Sequence, residues 1–410
     1  MCRFVVYKGI APIRLSDLVT KPIHSITNQT FDSKLRFPSS RPFNADGFGI
    51  GYYEPPQASD VPEYSSIEES DAGSEGDQDE NVGDRSQGAT LVAYEGGNDG
   101  PQVKQQEVQI GAEKVTGSDR VKRKLELAAI ESERPGLFKS IHPAWSNANL
   151  IRLAEKIRSP LVFAHVRAST MPGAPSEDNC HPWTFGKLMW MHNGAICDFN
   201  LIKRKLQGML TDELFLFPNG YTDSEWAFAL FLSKLKDPHA RTFTTLELRK
   251  AMFDTLADIN RMTKEVAAET GHRFDPHLMN FVVSDGENVV ATRYVSSKTD
   301  EASSLFFSSG TTFEEYAEGG HYRMTKADKR EDIIMIASEP LTFEQRDWME
   351  VKNNTMVVIT PKMNVLQIPI MDEYWVPPEA NIRTTDYAVA QGYGHGFMKS
   401  PASKDEIATH

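Results

Sequence analysis

Apolar residues recur along this chain in two blocks, residues 1–53 and 137–375, separated by a stretch in which the pattern stops. The first block opens on Cys2-Arg3-Phe4-Val5-Val6-Tyr7, a run that reads as a buried strand. It closes on Asp46-Gly47-Phe48-Gly49-Ile50-Gly51-Tyr52-Tyr53, where glycines allow close backbone approach and aromatics fill the pleat. In the second block strand-like and helix-like periods alternate. Ser146 is placed to cap a helix through Ile157, Leu161–Val166 reads as a buried strand, and Gly186–Ile196 reads as another. Thr222-Asp223-Ser224-Glu225 has the form of a capping box and opens a helix to about Leu235. Residues 244–269 form a second long helix, and strands follow at Phe281–Ser284, Val289–Val295, Leu305–Ser308, Asp332–Ala337 and Met356–Thr360. From about Pro377 the period fades, leaving a polar C-terminal tail over residues 376–410. This alternation predicts an α+β fold in which two stacked sheets are covered by helices.

The interrupting stretch, at about 55–135, is rich in Glu, Asp, Ser, Gly and Gln and poor in apolar residues. Such a composition cannot offset its own ordering entropy, so it reads as a long disordered acidic insertion between two strands. From Glu54 to Val103 there are thirteen acidic residues and one basic residue, Arg85. This segment therefore carries −12 of the net charge of −13, and the remaining chain is close to neutral. A near-neutral folded part argues against a nucleic-acid-binding protein. The three cysteines, Cys2, Cys180 and Cys197, form no CxxC pair, which argues against a disulfide framework. Lys8 and Arg14 interrupt the N-terminal apolar run, and no stretch approaches the length needed to cross a bilayer. The expectation is a soluble cytoplasmic protein.

Candidate chemistry begins at Cys2. Removal of Met1 would give this residue a free α-amine beside its thiol, placing a base and a nucleophile on one residue. Arg167 stands just past the Leu161–Val166 strand, either as a bidentate clamp for a carboxylate or as a structural ion-pair partner. Asn193-Gly194 offers a side-chain amide and a main-chain N–H to an oxyanion, or else forms an Asn-Gly hairpin turn. Asp223, at the first turn of its helix, suits a substrate ammonium or simply the helix dipole. Ser338-Glu339-Pro340-Leu341 ends a late strand and by itself carries little. Cys180, His181, His192 and Cys197 lie close in sequence, but their spacing matches no familiar zinc pattern, so no metal is expected.

Taken together, Cys2, His165-Val166-Arg167, His192-Asn193-Gly194 and Thr222-Asp223-Ser224-Glu225 resemble, in this order, the motifs of class II glutamine amidotransferases. These are N-terminal nucleophile hydrolases. Met-Cys-Arg-Phe at the start, the Asp46–Tyr53 segment and Ser338–Leu341 resemble the stand-alone branch, in particular the amidotransferase subunits of fungal Dug-type glutathione-degradation complexes. The resemblance covers residues 2–53 and 137–375, and it frames 1–375 as one amidotransferase domain interrupted by the acidic insertion. It implies a four-layer αββα sandwich and cleavage of a γ-glutamyl amide with no cofactor. It also implies roles: Cys2 as the nucleophile that forms a γ-glutamyl thioester, and Asn193 with Gly194 as the oxyanion hole. Arg167 would hold the substrate α-carboxylate and Asp223 the α-amine. Ala168-Ser169-Thr170 follow the arginine here, where synthase-fused members typically carry Trp-Ala-Thr-His.

Three functions fit these residues. The first is a γ-glutamyl amide hydrolase acting on glutathione beside a metallopeptidase-like protein subunit. The second is a glutaminase subunit that supplies ammonia to a separate synthase. The third is a catalytically idle regulatory or scaffolding subunit.

Overall fold

The computed structural model describes residues 2–33, 44–55, 133–168, 175–380 and 382–391. Its strands, in chain order, begin with β1 (Arg3–Arg14), β2 (Phe48–Tyr53), β3 (Gly136–Ser140), β4 (Arg158–Val166) and β5 (Trp183–Phe185). They continue with β6 (Leu188–Ala195), β7 (Leu278–Ser284), β8 (Val289–Arg293), β9 (Phe306–Gly310) and β10 (Thr312–Ala317). The last are β11 (His321–Thr325), β12 (Ile333–Ala337), β13 (Met349–Glu350), β14 (Thr355–Ile359) and β15 (Val365–Pro369). The helices are α1 (Leu15–Val19), α2 (Ala148–Ala154), α3 (Phe199–Gln207), α4 (Asp212–Leu216), α5 (Asp223–Leu232), α6 (Thr245–Thr270) and α7 (Asp386–Ala390).

One antiparallel sheet has seven strands in the order β13-β9-β12-β1-β4-β2-β3, and a second has six in the order β15-β14-β8-β7-β6-β5. The period of two along each strand explains how they stack. Phe4 and Val6 of β1, Leu161 and Phe163 of β4 and Ile334 and Ile336 of β12 point to one side, where they meet Met189, Met191, Val282, Ala291 and Val357 of the second sheet. The alternate residues, such as Val5, Tyr7, Val162 and Met335, turn to the outer face and pack with Leu15, Leu18 and Leu150 of α1 and α2. On the far side, Trp190, Phe281, Val290 and Val358 pack against α3, α5 and α6. The layers therefore run α, β, β, α. Each large apolar side chain so buried contributes about 1.5–3 kcal/mol.

Helix α5 is apolar all round, and its residues Ser224–Leu232 are all buried, as expected of a helix enclosed on every side. Trp190 stacks on Phe228 with ring centroids 5.5 Å apart. Helix α6 starts at Thr244, whose hydroxyl accepts the Glu247 N–H at 3.1 Å, and stops at Gly271, which adopts φ 71°.

Several local features differ from the sequence expectation. The cap of α2 is Asn147, which accepts the Leu150 N–H at 2.9 Å, while Ser146 lies in a preceding 3-10 turn. Half of the expected capping box forms: Thr222 accepts the Glu225 N–H at 3.3 Å. Glu225 itself turns instead to the N–H groups of Asn219 and Gly220, at 3.1 and 2.7 Å. Beyond Pro377 the chain is not featureless, because Arg383 donates to the Ser297 carbonyl at 2.6 Å and Ala388 of α7 is buried with Leu278, Val295 and Ala302. The expected disordered acidic insertion, including Arg85, lies outside the described residues, apart from its edges. Among the described residues no helix is long and apolar enough to cross a membrane.

The strands that flank the insertion are direct neighbours, with Tyr52 of β2 paired to Gly136 of β3. Replacing residues 57–132 by a short flexible linker is therefore expected to leave the domain folded. Loop closure changes by only about 0.6 kcal/mol per doubling of length, so Tm should move by a few degrees at most. Scanning calorimetry checks this, and loss of the cooperative transition would show that the segment is part of the fold.

Candidate active site

Cys2 is half-buried at the start of β1, the central strand of its sheet. Its thiol lies 3.5 Å from the Ala168 N–H and 3.6 Å from the Ala168 carbonyl. Arg167, one residue earlier, follows the end of β4, and its main-chain N–H and carbonyl bond the Gly47 carbonyl and the Asp46 N–H at 2.8 and 3.3 Å. Its guanidinium is buried, with Nη1 3.5 Å from the Asp46 carbonyl. Pairing of Arg3 with Val166 holds β1 and β4 together at this end.

Asn193 and Gly194 lie inside β6, opposite Asn280 and Met279 of β7, so the hairpin-turn alternative does not apply. Gly194 has no room for a side chain, since a Cβ there would sit 1.8 Å from the Leu278 carbonyl oxygen. His192 locks the same strand. Its Nε2 donates to the Leu278 carbonyl at 3.0 Å, which leaves Nδ1 to accept from Ser224 Oγ at 2.8 Å. Burial lowers the His192 pKa against the opposing pull of Asp223, and burial likewise holds His165 at about 3 and His181 well below its ordinary value. The three imidazoles are therefore neutral near pH 7, and none adds a positive charge beside the thiol.

Asp223 is the first residue of α5 and reaches back to the end of β6. Its Oδ2 accepts the Ile196 N–H at 2.7 Å and its Oδ1 the Ser224 N–H at 2.8 Å. Cys2 thus touches the residue after Arg167, while Asp223 is tied to the end of the strand that carries Asn193 and Gly194.

Two residues to which the sequence assigned no role join these pieces. Ser338 Oγ lies 3.1 Å from the Phe4 N–H and 2.9 Å from Asn193 Nδ2. Glu339 forms a buried ion pair with Arg3 at 3.2 Å, accepts from Ser33 Oγ at 2.6 Å and lies 3.0 Å from His24 Nε2. Burial works to raise the Glu339 pKa, but the bond from His24 and the charge of Arg3 outweigh it and hold the carboxyl at about 2. Arg3 in turn donates from Nη1 to the Cys2 carbonyl at 3.1 Å. Cys180 lies against the Ser140 and Ser176 carbonyls, whereas Cys197 lies against the Pro276 carbonyl and Tyr387. Among the described residues no group of three or more His, Cys, Asp or Glu side chains gathers as a metal site.

The profile of the family described as glutamine amidotransferases class-II matches residues 136–368. The chain belongs to the class II glutamine amidotransferases. It is also 42% identical, over 96% of its length and 90% of the other protein's, to the probable glutamine amidotransferase DUG3 of Saccharomyces cerevisiae. Among solved structures, a glutamine aminotransferase class-II domain protein from Silicibacter pomeroyi aligns with 18% identity and a TM-score of 0.45, covering 90% of this chain and 99% of that one. The glutamine phosphoribosylpyrophosphate amidotransferase of Bacillus subtilis aligns with 11% identity and a TM-score of 0.43, covering 90% of this chain and 50% of that one. The segment shared with the class II amidotransferase profile contains Arg167, Asn193, Gly194, Asp223, Ser338 and Glu339, while Cys2 lies before it.

Proposed function

We propose that this class II glutamine amidotransferase hydrolyses a γ-glutamyl amide with Cys2 as its nucleophile. The observation that carries the reading is the placement of the Cys2 thiol against Ala168, beside Arg167, with Asn193 tied to the same strand through Ser338. Once Met1 is removed, the α-amine of Cys2 takes the thiol proton, and the sulfur attacks the γ-carbonyl carbon. The oxyanion that forms is met by the Asn193 amide and the Gly194 N–H. The carbon–nitrogen bond then breaks, and the leaving amine departs with the proton held by the α-amine. Water adds to the thioester, the carbon–sulfur bond breaks, and glutamate leaves as the thiol is restored.

The substrate end of a γ-glutamyl group carries one carboxylate and one ammonium, which match Arg167 and Asp223. Arg167→Lys keeps the charge and loses the bidentate fork. Loss of one charge-assisted hydrogen bond, worth about 1.5–3 kcal/mol, is expected to raise KM by about tenfold to a hundredfold with little change in kcat. Steady-state kinetics check this.

The substrate in this proposal is glutathione, cleaved in the cytoplasm in a complex with a metallopeptidase-like subunit. A free γ-glutamyl hydrolase would deplete glutamine and glutathione, so activity is expected to appear on association. The test is glutamate release from glutathione and from glutamine, measured on the chain purified with its native subunits and again alone. Release from glutathione by the assembly and weak release by the isolated chain are expected. Full activity of the isolated chain would remove the partner dependence. Release from glutamine alone would favour the second reading, a glutaminase subunit serving a separate synthase, which the glutamine amidotransferase name of the yeast relative also favours.

A further inference from the structure

Asn193 is buried, and its Nδ2 spends one hydrogen on Ser338 Oγ at 2.9 Å while its Oδ1 has no hydrogen-bond partner among the described residues. A buried carbonyl left unmet is destabilising. The two ends of a side-chain amide have nearly the same size, so the surrounding donors and acceptors decide which end points where. Turning the Asn193 amide by half a revolution pairs that oxygen and leaves the amide NH2 as the group still to be met. Ser338 Oγ still accepts the Phe4 N–H at 3.1 Å, and its own hydrogen now goes to the Asn193 oxygen. Asn193 Nδ2 then takes the position that Oδ1 holds now, with both hydrogens released from Ser338. An oxyanion donor gains from this state, because it offers two hydrogens where the other orientation offers one.

The hydroxyl that makes the choice is itself held firmly. Ser338 is fully buried, its N–H donates to the Phe4 carbonyl at 3.0 Å, and its carbonyl accepts from Ser304 Oγ at 2.8 Å. Phe4 lies two residues after the nucleophile, so the same serine fixes the strand that carries the thiol. We propose that Ser338 is a positioning residue that selects the amide orientation of Asn193 and registers it against the Cys2 strand. This rests on the amidase reading above.

The test is a double-mutant cycle on glutamate release, using the full chain purified from its native cell with bound subunits retained. Ser338→Ala is expected to lower kcat by about tenfold or more, part of the cost of losing an oxyanion donor, with KM nearly unchanged. Ser338→Thr, which keeps the hydroxyl, should restore kcat. In the Asn193→Ala background, adding Ser338→Ala should cost less than about twofold, because the group it orients is gone. Should Ser338→Ala fail to fold by circular dichroism, Ser338→Cys replaces it, with the same kinetic readouts. Fully additive losses, or wild-type kcat in the folded Ser338 variant, would overturn the positioning role. Wild-type glutamate release by Cys2→Ala would instead overturn the amidase reading on which it rests.

Discussion

Cys2→Ala is expected to abolish glutamate release from every γ-glutamyl substrate while the thermal transition stays in place. The side chain is half-buried, and among the described residues its thiol makes only long hydrogen-bond contacts, with the Ala168 main chain at 3.5 and 3.6 Å, so its removal leaves little to repack. The chemistry has no substitute. Of the other cysteines, Cys180 is buried with its thiol pushed up to about 11 by desolvation, and Cys197 is likewise held at about 11. Neither forms a thiolate near pH 7. Cys2→Ser should leave a small residual rate, since an alcohol can form the ester but is a far weaker nucleophile. The same logic bears on Met1: while it remains attached, the Cys2 nitrogen is an amide without a basic lone pair. Intact-mass measurement on protein from its native cell should therefore find Met1 absent from the active population. A fully active fraction retaining Met1 would sink the α-amine mechanism.

Asn193→Ala is expected to lower kcat by about 10²–10³, the cost of removing one oxyanion donor, with KM changing little. The asymmetry follows from where the proposed bond is made: in that mechanism the amide meets charge that exists only in the transition state. Folding should survive, because β6 is held by its pairing with β7 and by the His192 bond to the Leu278 carbonyl at 3.0 Å. A variant whose loss fell mainly on KM would place Asn193 in ground-state binding instead.

The layers of this fold were legible because alternating apolar positions report on both faces of a strand at once. The strands around Leu161–Val166 and Met356–Thr360, and the helix over residues 244–269, coincide with β4, β14 and α6 to within a few residues. The hairpin β10–β11 was not legible, since Glu314, Glu315 and Tyr316 leave most of β10 exposed and blur its period. Asn193-Gly194 was ambiguous for a different reason. Turn chemistry is local, but what places these residues inside a strand is β7, whose paired residues Met279 and Asn280 lie far along the chain. Ser338 and Glu339 carried part of the resemblance but no role, because their partners are Phe4 and Arg3, more than 330 positions away. No window along the chain contains both halves of either contact.

The central position of β1 sets a timetable. This strand is made first, yet its two neighbours are β4, at residues 158–166, and β12, at residues 333–337. At a synthesis rate of roughly 5–20 residues per second, the second neighbour follows the first residues by roughly 15–65 seconds. Through that interval one edge of β1 has no strand beside it, and Arg3 has no Glu339 to fold against.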